Sequence, residues 1–135
     1  LRLIRLDFVG FETGSYTLTS QSSSQVDDLA GILSRYPEIA IEIEGHTDND
    51  KIVGSIGGGV ENNWDLSTKR ATSITRILQS RFAVAPSRLI AAGRSEYVPL
   101  ESNATPEGRA TNRRTRIVIL PKLDEFFDIL EQKPE

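Results

Sequence analysis

Residues 39–45, IAIEIEG, set Ile39, Ile41 and Ile43 on one side and Glu42 and Glu44 on the other. That alternation has the period of a β-strand with one face on a core, and Gly45 is expected to end it. The segments on either side have a different period. Upstream, QVDDLAGILSRY brings Val26, Leu29, Ala30, Leu33 and Tyr36 to three- and four-residue spacing, which is one face of a helix. Pro37 stops that helix, and a serine among residues 22–24 is the expected cap at its start. Downstream, DLSTKRATSITRILQSRF repeats the helical pattern through Leu66, Ala71, Ile74, Ile77, Leu78 and Phe82, with Asp65 or Asn63 as the expected cap.

The other elements follow from the same two periods. LRLIRLDF (1–8), SRLIAAGRS (87–95) and TRIVIL (115–120) read as strands, PEGRATNRR (106–114) as a polar turn or short helix, and KLDEFFDILEQ (122–132) as a last amphipathic helix. The order is strand, helix, strand, helix, strand, strand, helix. Helices between strands favour parallel or mixed pairing with crossovers. The expected fold is α/β (α+β): a two-layer sandwich with a mixed sheet of about four strands, helices on one face, and an extra C-terminal helix. A chain of 135 residues is enough for one such domain, 1–135. It begins at Leu1 and has no methionine, so it is expected to be a piece of a longer protein.

Composition removes several function classes. A net charge of -3 disfavours a general nucleic-acid binder. The absence of cysteine excludes disulfides, thiolate catalysis and cysteine-ligated zinc. The glycine-rich segment GSIGGG, 54–59, lacks the lysine and hydroxyl of a nucleotide loop and the glycine spacing of a dinucleotide fingerprint, so it reads as a surface loop. His46 and Asp48 are placed to reach one ion. A single histidine is nevertheless thin support for a metal-assisted hydrolase or a catalytic triad, and no metal or cofactor is expected.

A charged pocket fits better. Asp48 lies just past a strand end, and Arg70 lies early in the helix that follows, where exposed amides and the dipole favour an anion. A strand–loop–helix crossover brings these regions together. Asp48 can take an ammonium and Arg70 a carboxylate, so that together they hold a zwitterion. Alternatively the two side chains pair with each other, and spacing alone does not separate these readings.

GHTD (45–48), the N-x-x-LS-x-x-RA pattern from Asn63 to Ala71, R-L-x-x-x-G (88–93) and EGRA-x-NRR (107–114) occur in the order seen in one family. Together they resemble the OmpA-like (OmpA/MotB) peptidoglycan-binding domain, over a core of about 11–120. The resemblance implies a periplasmic, non-enzymatic domain that grips the peptide stem of peptidoglycan, with no nucleic acid as partner. In the family the aspartate of GHTD and the arginine of LS-x-x-RA clamp diaminopimelate, which implies Asp48 and Arg70 here. Supporting positions carry over to Thr47, Asn63, Leu66 and Arg113. The long link 49–62 and the tryptophan in NNWDLS resemble the MotB-like branch of flagellar stator anchors. The parent protein is then expected to be membrane-anchored outside this fragment. Phe126, Phe127 and Leu130, in the 122–132 extension, are expected to be buried on this domain or against a second copy.

Overall fold

The computed structural model of the chain describes residues 4–10, 14–52, 56–120 and 131. Its elements are β1 (Ile4–Gly10), α1 (Ser20–Arg35), β2 (Ala40–His46), α2 (Asn63–Arg81), β3 (Leu89–Gly93), α3 (Pro106–Asn112) and β4 (Arg114–Leu120). A single 3-10 turn, Pro86–Arg88, leads into β3. The strands form one four-stranded sheet in the order β1-β4-β2-β3. β2 and β3 pair in parallel across the α2 crossover, while β4 is antiparallel to both β1 and β2. The mixed sheet expected from the sequence is therefore present, and its last strand lies in the middle. Of the expected helix 122–132 only residue 131 is described, in helical conformation, and the rest lies outside the described residues.

The core sits between the sheet and two helices. Val26, Leu29, Ala30 and Leu33 of α1 and Ala71, Ile74 and Leu78 of α2 pack with Ile41, Ile43 and Ile117 of the central strands. Each such large apolar side chain contributes about 1.5–3 kcal/mol by leaving water. The alternation read in 39–45 holds through Ile43. From Glu44 to His46 every residue is buried, so β2 is covered on both faces at its C-terminal end. The strand also runs one residue past Gly45, the position expected to end it.

The helix starts differ from the expected ones. α1 begins at Ser20, capped by Thr19, whose Oγ1 accepts from the Ser22 amide at 3.1 Å. α2 is capped by Asn62, whose Oδ1 accepts from the Asp65 amide at 2.9 Å. Asp65 in turn accepts from the Glu61 amide at 3.2 Å, so it reaches back as a partner to the cap rather than acting as the cap itself. Asn63 is already inside the first turn and is buried.

Two glycines let α2 lie directly on the strand ends. A Cβ at Gly45 would collide with the Ser67 carbonyl, and one at Gly93 with the Thr68 and Ser67 hydroxyls. Without side chains at these positions, the second turn of α2 comes against the ends of β2 and β3. That contact sets where Arg70 points.

Candidate binding site

The buried stripe of α2 runs through Ser67, Arg70, Ala71, Ile74 and Leu78, so Arg70 occupies a core-facing position. It is fully buried. Its Nε donates to the Ser15 carbonyl at 2.8 Å, and its Nη1 to the His46 carbonyl at 3.1 Å. One guanidinium thus ties the segment before α1 to the end of β2. Burial pulls its pKa down to about 9, opposed by the Asp48 charge and reinforced by Arg113, so it remains a cation at neutral pH.

Asp48 emerges two residues after β2 and is only 3% exposed. Its Oδ1 accepts from the Asp50 amide at 3.0 Å, and its Oδ2 accepts from Arg113 Nη1 at 2.7 Å. Asp48 therefore forms an ion pair with Arg113, at the end of α3, and its charge also acts on the Arg70 guanidinium. The sequence reading had offered Arg70 as its alternative partner. A carboxylate has about four lone-pair sites, so accepting two hydrogen bonds leaves room for a ligand donor. The backbone here is pinned as well: Thr47 Oγ1 donates to the Asp48 carbonyl at 2.7 Å, and Asn63 Nδ2 donates to the carbonyls of Asp48 (3.4 Å) and Asp50 (3.1 Å).

Asp48, Arg70, Asn63 and Leu66 line one cleft of about 260 Å³, together with Lys51, Ile52 and Ile56. Thr47 and Arg113 stand behind it, one shaping the backbone and one balancing Asp48. Among the described residues, the buried Asn63 Oδ1 has no hydrogen-bond partner. Residues on both sides of 53–55 thus contribute to the wall. The glycine-rich stretch makes a turn, with Val60 donating to Gly57 and Ile56 donating to Val60. Gly57, Gly58 and Gly59 all have positive φ (91°, 63° and 77°), a path that side chains resist, and the turn buries Val60.

The basic run at 109–116 is engaged internally. Arg109 Nη1 donates to the Asn103 carbonyl, and Arg114 Nη1 and Nη2 donate to the carbonyls of Asn112 and Val98. Asn112 accepts from the Leu100 and Glu101 amides and so orders the loop before α3. His46 is buried at the end of β2. His46 is on the opposite face of β2 from Gly45, with Nε2 3.4 Å from Glu44 Oε1, whereas Asp48 is taken by Arg113. Burial and Arg114 pull the His46 pKa down to about 4 against the pull of Glu44, so the ring is neutral at pH 7.

Comparison with known proteins gives this arrangement its context. The OmpA family model matches residues 10–113. The chain belongs to the OmpA family. It is 34% identical to Motility protein B of Bacillus subtilis over 116 residues, 86% of this chain and 43% of the relative. It is 38% identical to Outer membrane porin F of Pseudomonas fluorescens over 111 residues, 82% of this chain and 31% of the relative. The chain therefore spans less than half the length of these relatives. Among solved structures, a MotB-like protein from Desulfovibrio vulgaris superposes with TM-score 0.75 at 29% identity, covering 89% of this chain and 74% of that one. The cell wall anchor of the type VI secretion system (T6SS) from Pseudomonas aeruginosa superposes with TM-score 0.71 at 27% identity, covering 89% and 81%. The two-layer α/β fold with a mixed sheet is that of OmpA/MotB domains.

The sequence reading missed several contributors to the site. Ser15 holds Arg70 through its carbonyl, which no side-chain pattern reveals. Lys51, Ile52 and Ile56 sit in a loop without periodicity. The pairing of Asp48 with Arg113 spans 65 residues and depends on β4 lying beside β2.

Proposed function

We propose that this domain binds peptidoglycan non-covalently and anchors a longer envelope protein to the cell wall. The observation that carries the reading is the cleft in which a carboxylate, Asp48, and a buried cation, Arg70, share one wall. Opposite charges fixed in one cleft suit a ligand that carries an ammonium and a carboxylate on the same carbon. Diaminopimelate in a peptide stem ends in such a group. Its ammonium donates to Asp48, its carboxylate faces Arg70, and Asn63 and Leu66 complete the wall. Thr47 holds the Asp48 backbone, and Arg113 orients the Asp48 carboxylate. Each charge-assisted hydrogen bond contributes about 1.5–3 kcal/mol.

The likeness to a cell wall anchor and to Motility protein B supports the same reading. The domain then works by attachment rather than catalysis, on the periplasmic side of a membrane that holds the rest of the protein. As a stator anchor it would follow a single membrane helix, whereas a barrel or lipoprotein parent would place other elements upstream. A second copy of the chain as partner belongs to the same proposal, and light scattering of the purified domain checks it.

The test is calorimetric titration with a soluble stem tripeptide containing diaminopimelate. Wild type binds, and Asp48→Asn, which keeps the shape and removes the charge, loses at least about tenfold in affinity. Circular dichroism of the variant separates lost binding from lost folding. Equal affinity in a folded Asp48→Asn sample rejects the assigned site. Incubation with wall fragments leaves them uncut, and released soluble muropeptides would instead indicate a hydrolase.

A further inference from the structure

A second cleft adjoins the first, also about 260 Å³, and it shares Lys51, Ile52 and Asn63 with it. Its far wall is aromatic. Trp64 and Tyr97 stack with ring centroids 5.5 Å apart and planes tilted by 42°. They are nevertheless 52% and 65% exposed, so the pair is an open shelf rather than part of the core. Two large rings held together beside a charged cleft and left this open add little to the apolar core.

The shelf is held in place from beneath. Trp64 sits in the first turn of α2, next to Asn63, which lines both clefts. Tyr97 follows Ser95, a residue with φ of 55°, a backbone conformation that costs energy in a non-glycine residue. Ser95 is kept there by two hydrogen bonds, its amide donating to Ser67 Oγ at 2.9 Å and its carbonyl accepting from the Thr47 amide at 3.0 Å. The loop that carries Tyr97 is therefore anchored to the backbone that carries Asp48. These two hydrogen bonds tie the wall carrying Tyr97 to the wall carrying Asp48, so less ordering is lost when a ligand spans both clefts.

The rim of the second cleft is polar, with Asn62, Ser95, Glu96 and Lys51 around the rings. Apolar ring faces below and amide, hydroxyl, carboxylate and ammonium groups around them match a pyranose, which has an apolar C–H face and a circumference of hydroxyl and amide groups. A purely apolar peptide side chain would leave that rim unpaired. We propose that the Trp64–Tyr97 shelf is a sugar subsite, which takes an N-acetylated hexosamine of the glycan strand while the neighbouring cleft holds the stem peptide. This inference rests on the wall-binding reading above and extends it from the peptide to the strand that carries it.

The test compares two probes, the free stem tetrapeptide and the same peptide attached to its disaccharide, each titrated into wild type, Trp64→Ala and Trp64→Phe. Wild type is expected to bind the disaccharide–peptide about tenfold more tightly than the free peptide. Trp64→Ala removes that preference while free-peptide affinity stays the same, and Trp64→Phe restores part of it. Equal affinity of wild type for the two probes overturns the sugar subsite and leaves the peptide reading standing. Loss of free-peptide affinity in Trp64→Ala also overturns it, because the shelf then holds the peptide. If wild type binds neither probe, both readings fall.

Discussion

Two clefts of the same volume lie on either side of Lys51, Ile52 and Asn63, and they are built from opposite materials. One is walled by charges withdrawn from water: Arg70 is fully buried and Asp48 is 3% exposed. The other is walled by rings left in water, Trp64 at 52% and Tyr97 at 65%. Removing a buried charge disturbs everything it was paired with, so on the proposed reading residues of the first cleft serve folding and binding together. Exposed rings have little to hold up, so on the proposed reading Trp64 and Tyr97 serve recognition more than folding. Substitutions along the pair should therefore separate stability from recognition.

The largest effect is expected at Arg70. Arg70→Met keeps length and apolar contact but leaves the Ser15 and His46 carbonyls without their donor and Asp48 with one cation fewer. A loss of about 3–5 kcal/mol in urea unfolding is expected, the range for breaking a buried charged network. A loss under about 1 kcal/mol would mean that the buried cation is not structural.

Next comes the pH response of the strand end beneath that cleft. The His46 ring is neutral in the fold down to about pH 4, whereas in the unfolded chain it takes a proton near 6.5. Between those values only the unfolded state binds the proton, so stability is full above pH 6.5 and falls as pH drops through 4. The size is roughly 2–3 kcal/mol. The check is therefore the difference between wild type and His46→Gln in unfolding free energy at pH 7 and pH 4.5, with the variant losing less.

Gly45→Ala asks how closely α2 must lie on β2. A methyl there runs into the Ser67 carbonyl, which is backbone and cannot swing aside. A cost of about 1–3 kcal/mol is expected, read as a lowered Tm, together with weaker stem-peptide binding as Arg70 moves off the strand end. The smallest effect belongs to the open shelf. Trp64→Ala should leave stability within about 0.5 kcal/mol, and a larger change would show that the rings brace the fold.

Much of this contrast was written locally in the sequence, and some of it was not. The period-two run at 39–45 and the stripe Ala71, Ile74 and Leu78 named the central strand and its covering helix, because burial selects the same residue types wherever that geometry occurs. Asp48 at a strand end and Arg70 early in a helix followed from the same periods. Cap positions were less legible, since Asn62, Asn63 and Asp65 are all competent and only backbone geometry chooses among them. That Arg70 lies inside the apolar stripe was hidden too, because a guanidinium is normally drawn in the solvated face. The Asp48–Arg113 pair depends on β4 inserting between β1 and β2, a choice made by the whole sheet. Trp64 and Tyr97 are 33 residues apart and meet only because β3 ends beside the start of α2.

The most direct test of the charged cleft is a pair of titrations on the wild-type domain, with stem tripeptides that differ only in carrying diaminopimelate or lysine at the third position. Lysine keeps the amine and lacks the adjoining carboxylate. Arg70 should then favour the diaminopimelate peptide roughly ten- to hundredfold, the worth of one charge-assisted hydrogen bond. Indistinguishable affinities for the two peptides would contradict the clamp and leave Arg70 as a structural cation.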